Sequence, residues 1–172
     1  MSDAEHYWAG FSRLDAQAIR LTGSRNDFTR DEVIGYFLRC RQACDRYDFL
    51  LVAPDGGIVG ESVINEIDGR TRSANFRILI FRAEDRGRGL GGWMTRMTRD
   101  FAFSHAALHR LSLDVFSVNP RARKAYENAG FHVEGVLRDA VMLDDGTYAD
   151  DILMAMLEDE WRALSSDAAV QR

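Results

Sequence analysis

The sequence predicts a mixed α/β domain in which an antiparallel meander of strands leads, through a parallel crossover, into a C-terminal hairpin. Two amphipathic helical segments come first, and three strand-like segments joined by tight turns follow them. A glycine-rich turn then joins the third strand to a long helix and a further strand, the usual order of a parallel crossover. With 172 residues and 46% apolar content, the chain is expected to form one domain over residues 1–172.

The N-terminal part is predicted to be helical. Apolar residues recur at helical spacing over residues 4–22 and 30–47, so each range is interpreted as one helix. Thr29 is the expected N-cap of the second helix, because Asp31 and Glu32 follow in its first turn.

The meander comes next. Runs rich in apolar and β-branched residues predict strands, and Pro-Asp-Gly-Gly and Asp-Gly predict the turns between them. The three strands are expected over residues 49–53, 58–67 and 74–81.

The second half is expected to alternate helix and strand before it closes with a hairpin. Leu90, Met94, Met97 and Phe101 form one apolar stripe on a helix that leads into a strand over residues 110–118. A short helix with Pro near its start runs from Asn119 to Gly130. Strands at 131–143 and 148–157 then pair around Asp-Asp-Gly, and the tail from Trp161 is expected to fray.

The turn before the long helix has the composition of a phosphate site. Its residues are Arg86, Gly87, Arg88, Gly89, Leu90, Gly91 and Gly92. Glycines allow the backbone N–H groups to converge, the helix N-terminus adds partial positive charge, and the arginines add full charges. The spacing Gly87-x-Gly89-x-x-Gly92 also matches a dinucleotide fingerprint, whereas a Walker A loop is excluded because no Gly-Lys-Ser/Thr follows. An ordinary surface turn is the plain alternative.

Several segments in order resemble the GCN5-related N-acetyltransferase (GNAT) superfamily, and more closely its RimJ/RimL-like ribosomal-protein acetyltransferase branch. They are Arg86–Gly92, His109–Leu111, Asn119–Tyr126, Ala129–Phe131, Glu134–Arg138, Gly146–Asp150 and Glu160–Trp161. The resemblance implies a GNAT-like sheet that splays where the strand over residues 76–81 and the strand over residues 110–118 part. It also implies an acetyl-CoA cosubstrate held at the glycine-rich turn. One departure is that family members normally have a strand before the first helix, and here that first strand is apparently missing.

The resemblance also assigns roles in the transfer of acetyl from acetyl-CoA to a primary amine, either a small molecule or a protein N-terminus. Tyr126 is the expected proton donor to the departing thiolate, because a phenol stays protonated at neutral pH. Asn119 is expected to contact the pantetheine arm or to cap its helix. The donor to the acetyl carbonyl is expected to be a main-chain N–H at a bulge near Ile80 and Phe81.

The remaining site residues are less constrained by the pattern. Glu61 is the first candidate for the base that deprotonates the amine, with Glu66 and Asp114 as rivals. Arg121 stands beside Asn119 in a basic cluster that is either a solvated helix face or a partner for the 3′-phosphate of the coenzyme.

Composition excludes some classes of function. A net charge of −5 argues against a nucleic-acid partner, and no apolar run is long enough for a membrane span. Cys40 and Cys44 are expected to be free thiols, which favours a cytoplasmic setting. His105 and His109 have the spacing of a metal pair but lack the accompanying glutamate, so no metal is expected. A homodimer is expected, because the absent first strand would leave an edge unpaired.

Two other functions remain open on the sequence alone. A non-catalytic acyl-CoA-binding module would use the same turn without needing Tyr126. A dinucleotide-dependent oxidoreductase would bind NAD(H) there instead.

Overall fold

The computed structural model describes residues 2–25 and 27–170. Three helices precede six strands, and further helices follow the third strand, the fourth strand and the last one. The helices are α1 (Asp3–Phe11), α2 (Ala16–Thr22), α3 (Arg30–Cys40), α4 (Leu90–Ser104), α5 (Pro120–Asn128) and α6 (Glu158–Val170). The strands are β1 (Tyr47–Val52), β2 (Ile58–Asp68), β3 (Ser73–Ile80), β4 (Arg110–Phe116), β5 (His132–Met142) and β6 (Tyr148–Leu157).

The predicted fold class is confirmed. The six strands form one sheet in the order β1-β2-β3-β4-β6-β5, in which β3 and β4 are parallel and the other neighbours are antiparallel. The meander, the crossover through α4 and the C-terminal hairpin all lie where the sequence predicts them. Among the residues that the structure describes, α1 is the first element, and the strand that family members normally have before it does not occur there.

Two helical predictions are wrong. The segment 4–22 is not one helix: α1 ends at Phe11, and Asp15 begins α2 by accepting a hydrogen bond from the Ala18 N–H at 2.7 Å. A carboxylate at an N-cap satisfies a backbone donor that a continuous helix would have paired internally, so the break is stabilised locally. The helix that Thr29 caps ends at Cys40, well before residue 47.

The tail does not fray at Trp161, contrary to the prediction. The Trp161 ring stacks on Phe103 with centroids 5.6 Å apart, and its indole N–H donates to Asp100 at 2.9 Å. These contacts hold the start of α6 against α4, because an indole that is both stacked and hydrogen-bonded loses little by leaving water.

The helices cover the sheet on two faces, and each face has its own apolar core. Helices α4, α5 and α6 cover one face, where Phe76, Leu111, Tyr126 and Phe131 belong to one cluster. The other face carries α1 and α3, and its cluster includes Tyr7, Phe37 and Phe81. We call these the coenzyme face and the acceptor face, after the roles that the resemblance to acetyltransferases implies for them.

The sheet splays between β3 and β4. Their pairing covers three residue pairs, Ser73–Arg110, Ala74–Leu111 and Asn75–Ser112, and ends there. Beyond it β3 continues to Ile80 beside β2, and β4 continues to Phe116 beside β6. The predicted splay is therefore present, and a slot opens between the two strands in the middle of the sheet.

Candidate active site

The glycine-rich turn has the backbone geometry of a phosphate cradle. Gly87 and Gly89 have φ values of +83° and +82°, a region in which other L-residues are strained. Gly89 is the N-cap of α4, whose first turn contains Leu90, Gly91 and Gly92. Cβ atoms built on Gly89 and Gly91 would meet no other atom within 4 Å. The first N–H groups of a helix have no carbonyl partner within it, and the open Cβ positions leave room for an anion to approach this helix start.

The three arginines around the cradle are placed differently from one another. The Arg86 guanidinium is largely buried and forms an ion pair with Asp15, so its charge is not directed into the cradle. Arg88 is mostly exposed and lies 3.3 Å from Asp85. The Arg121 guanidinium reaches over from α5, since a Cβ on Gly87 would lie 2.7 Å from its Nη2. Arg88 and Arg121 are thus the side chains best placed to add charge beside bound phosphate.

The backbone directions along β3 distinguish the two residues that were predicted to donate an N–H to the acetyl carbonyl. The Phe81 N–H donates to the Val59 carbonyl at 2.9 Å, so it is occupied by β2. Directions alternate along a strand, and Ile80 therefore presents its N–H and carbonyl toward the slot. The register with β2 runs without a shift from Asn65–Asn75 to Gly60–Ile80, so the bulge expected at this point is absent. Ile80 needs no bulge to fit the role, whereas Phe81 does not fit it.

Tyr126 lies where the two strands part. Its ring makes an edge contact with Phe76, the first β3 residue beyond the paired segment, with centroids 6.2 Å apart. Burial raises the pKa of the Tyr126 phenol above its usual range, and the negative charge of Asp114 raises it further. The phenol therefore keeps its proton at neutral pH, which is the form that a proton donor needs. Asn119 caps the same helix by accepting from the Ala122 N–H at 3.1 Å.

Glu61 is buried on the acceptor face and both of its carboxylate oxygens are engaged. The Tyr7 hydroxyl donates to one oxygen at 2.7 Å, and Arg77 forms an ion pair with the other at 3.1 Å. Arg77 also donates to the hydroxyl of Tyr36. These contacts tie α1 and α3 to β2 and β3. The base role of Glu61 stays a prediction, and its contacts count against it, because a proton taken up there would weaken both the ion pair and the hydrogen bond.

Two carboxylates, those of Asp114 and Asp151, lie beside the slot on the acceptor face. Asp114 is exposed, and its rival Glu66 lies elsewhere, near the far end of β2. In the β4–β6 register Phe116 faces Asp151 and Asp114 faces Leu153, so the two aspartates are diagonal neighbours on one face. Among the residues that the structure describes, one buried oxygen of Asp151 has no hydrogen-bond partner. Burial, and the nearby charge of Asp114, raise the pKa of this carboxyl.

A cleft opens next to this pair, between α2 and the β5–β6 turn. It is lined by Ile19, Arg20, Gly23, Ser24, Val141, Met142, Leu143 and Asp144. Gly23 also approaches the Phe116 ring, since its Cβ would lie 3.1 Å away. Asp151 is absent from our set of predicted site residues. Its position opposite Phe116 depends on the register of β6, which the sequence pattern does not fix.

Across residues 2–25 and 27–170, no three His, Cys, Asp or Glu side chains are grouped so that they could hold a metal ion. Within the same residues, no helix has both the length and the apolar composition that a membrane span requires.

Comparison with known proteins identifies the family. The family model described as an acetyltransferase (GNAT) domain matches residues 1–132. The chain belongs to the GNAT acetyltransferase family. It is 30% identical over 113 residues to the spermidine N(1)-acetyltransferase of Vibrio cholerae, covering 66% of this chain and 64% of that protein. It is also 30% identical over 115 residues to the probable N-acetyltransferase YjcK of Bacillus subtilis, covering 66% and 62%.

The chain thus spans a little under two thirds of the length of the curated relatives that it matches. Among solved structures, it is similar to the Vibrio cholerae spermidine N-acetyltransferase in complex with CoA and spermine. The TM-score is 0.82 and the identity 22%, over 94% of each chain. This likeness supports the fold. The relatives named here do not favour the narrower RimJ/RimL-like branch that the motifs suggested.

Proposed function

We propose that this GNAT domain transfers the acetyl group of acetyl-CoA to a primary amine by direct attack. The observation that carries the proposal is the combination of a phosphate cradle, a slot between β3 and β4, and Tyr126 at the point where they part. A coenzyme whose pyrophosphate lies on the cradle would extend its arm into the slot. Its thioester would then lie between the Ile80 N–H and the Tyr126 hydroxyl.

The steps follow from these placements. The amine nitrogen attacks the thioester carbonyl carbon, and the carbonyl oxygen gains negative charge that the Ile80 N–H stabilises. The C–S bond then breaks, and the thiolate takes the Tyr126 proton. The amine must first lose a proton, because an alkylammonium with a pKa of about 10.4 has no free electron pair at neutral pH. Asp114 is open to solvent, so we assign to it, rather than to Glu61, the passage of that proton to water.

We infer that the acceptor is a cationic amine of the polyamine class. Asp114 and Asp151 place negative charge beside the slot, and Asp144 lies in the adjoining cleft. An ammonium group near Asp151 would give its unpartnered oxygen a hydrogen bond that it lacks. The Vibrio cholerae relative is named a spermidine N(1)-acetyltransferase, which supports the same class. A protein N-terminus, the acceptor implied by the RimJ/RimL-like resemblance, is the second candidate.

A titration followed by an amine panel tests the proposal. Acetyl-CoA and CoA are expected to bind, and NADH is expected not to compete with them. Spermidine, aminoglycosides, amino acids and N-terminal peptides are then compared by the release of free thiol. Competition by NADH would favour the oxidoreductase reading. CoA binding without thiol release from any amine would favour the non-catalytic binding module.

We also propose that the domain over residues 1–172 works as a homodimer in a reducing, cytoplasmic setting. Cys40 and Cys44 are free thiols, as that setting requires. The sheet ends in β1 and β5, and the β5–β6 hairpin exposes Val136, Leu137 and Met142 to 50%, 50% and 67%. Apolar side chains beside an edge strand favour pairing with a second copy. Sedimentation at tens of micromolar should show a dimer that Leu137→Glu dissociates, and a monomeric wild type would contradict this.

A further inference from the structure

The ion pair between Arg86 and Asp15 joins the coenzyme cradle to a helix on the acceptor side. Arg86 is the first residue of the cradle, and Asp15 is the N-cap of α2. The two residues are 71 positions apart in the chain. Arg86 also donates to the carbonyl of Ile80 at 3.5 Å, at the end of β3. Arg86 therefore belongs to the cradle, and its guanidinium contacts two other parts of the site, namely the end of β3 and the N-cap of α2.

Helix α2 is short and little buried. It has seven residues, of which Ala18 is the buried one. Arg20 pairs with Asp145 of the hairpin turn at 2.9 Å, but both side chains are more than 40% exposed, and exposed pairs contribute little. The C-cap Gly23 lies against the Phe116 ring. By contrast, the Arg86 side chain is only 16% exposed, so its pairing with Asp15 is the better shielded of the two ion pairs.

Helix α2 forms one wall of the cleft between α2 and the β5–β6 turn, which we call the acceptor cleft. Ile19 and Arg20 of the helix and its C-cap Gly23 line that wall. A phosphate on the cradle would fix the backbone of a loop that contains two positive-φ glycines. Fixing that loop fixes Arg86, and through it the N-terminus of α2. Any ligand that orders α2 from the other side acts on the same equilibrium, and such coupling is reciprocal.

We propose that Asp15 is a positioning residue whose ion pair with Arg86 transmits coenzyme binding to α2, so that the acceptor cleft becomes ordered when the cradle is filled. The inference rests on the proposed function, since it takes the cradle to bind the coenzyme phosphates. It adds a link between the two ligands: coenzyme binding favours the ordered cleft, and a ligand that orders the cleft favours coenzyme binding.

Hydrogen exchange of the full-length protein tests the inference without an acceptor. Saturating CoA is expected to slow exchange of the cradle amides, residues 87–92, by direct contact. It is also expected to slow exchange of the α2 amides, residues 16–22, by about fivefold or more, the lower end of coupling between sites. In Asp15→Asn the cap is retained, because Asn is as good an N-cap as Asp, but the charge is lost. We expect this variant to keep the cradle response and to lose the α2 response.

Two further variants test whether the effect is specific to the Arg86–Asp15 ion pair. Arg86→Gln breaks the same ion pair from the other side and leaves the α2 cap intact, so it is also expected to lose the α2 response. Arg20→Ala removes the exposed pair of the same helix and is expected to speed α2 exchange equally with and without CoA, which preserves the CoA-dependent ratio. A cradle that responds while wild-type α2 does not would overturn this inference alone, as would an α2 response that survives in Asp15→Asn. A cradle that does not respond to CoA would overturn the proposed function as well.

Discussion

Replacing Gly89 by Ala should weaken coenzyme binding far more than it destabilises the fold. Gly89 has φ +82° and open space around its Cβ position. The substitution therefore costs backbone strain, about 1–2 kcal/mol, without a clash in the free protein. The methyl group would stand where a phosphate must approach the helix start. Loss of two charge-assisted hydrogen bonds at about 1.5 kcal/mol each is about 3 kcal/mol, or a hundredfold or more in Kd.

Gly56 provides a matched control. It lies in the β1–β2 turn with φ +84°, and its Cβ position is equally open. Gly56→Ala should pay the same strain and lower Tm by the same few degrees as Gly89→Ala, since about 1 kcal/mol shifts Tm by about 2–4 °C in a chain of this size. Calorimetry with CoA then separates the two variants. If Gly89→Ala binds CoA within threefold of wild type while its Tm matches that of Gly56→Ala, the cradle lies elsewhere.

Substitutions at Tyr126, Glu61 and Asp151 also test the site. Tyr126→Phe should lower kcat by about 10²-fold or more with little change in the Kd of CoA, because the ring still packs and only the proton is lost; a kcat within threefold of wild type would transfer the acid role to another group. Because the pKa of Tyr126 is raised, its phenol stays protonated to above pH 10, and no loss of kcat between pH 6 and 10 should trace to it. Glu61→Gln should lower Tm more than Tyr7→Phe does. It should also leave the acidic limb of the pH profile of kcat/KM in place, and disappearance of that limb would make Glu61 the base. The pKa of Asp151 is higher in the folded state than in the unfolded state, so ionisation of Asp151 costs stability once the pH rises above its unfolded pKa. Asp151→Asn should therefore raise Tm at pH 7 and not at pH 3, while the KM of a reactive amine rises; an unchanged KM would remove Asp151 from the acceptor site.

Local chemistry explains which features the sequence could predict. The cradle, the meander and the crossover each depend on residues close together in the chain, such as glycines at a helix start or a turn between two apolar runs. The break between α1 and α2 had a local signal too, because Asp15 is a good N-cap, but the continuous apolar spacing on either side concealed it. Glycine-rich turns and caps are therefore dependable guides where they interrupt a periodic pattern.

The partners of the site residues could not be predicted in the same way. Tyr7 reaches Glu61 from 54 residues away, and Asp15 reaches Arg86 from 71 residues away. Both contacts depend on how the N-terminal helices pack on the sheet. Side-chain packing and rotamers decide that arrangement, and the spacing of residues along the sequence does not. The role predicted for Glu61 came from its strand position, and only its neighbours reveal that both oxygens are engaged.

The division of the apolar interior into two clusters has a consequence for protein engineering. Phe37 and Phe81 pack on one side of the sheet, and Phe76 and Phe131 pack on the other. Substitutions without shared neighbours combine additively, so the segment that carries α1, α2 and α3 can be exchanged for that of a relative while α4 and α5 are left as they are. Such a chimera would combine the amine specificity of the relative with the coenzyme site of this chain. The graft should carry Asp15 with it, because the recipient keeps Arg86.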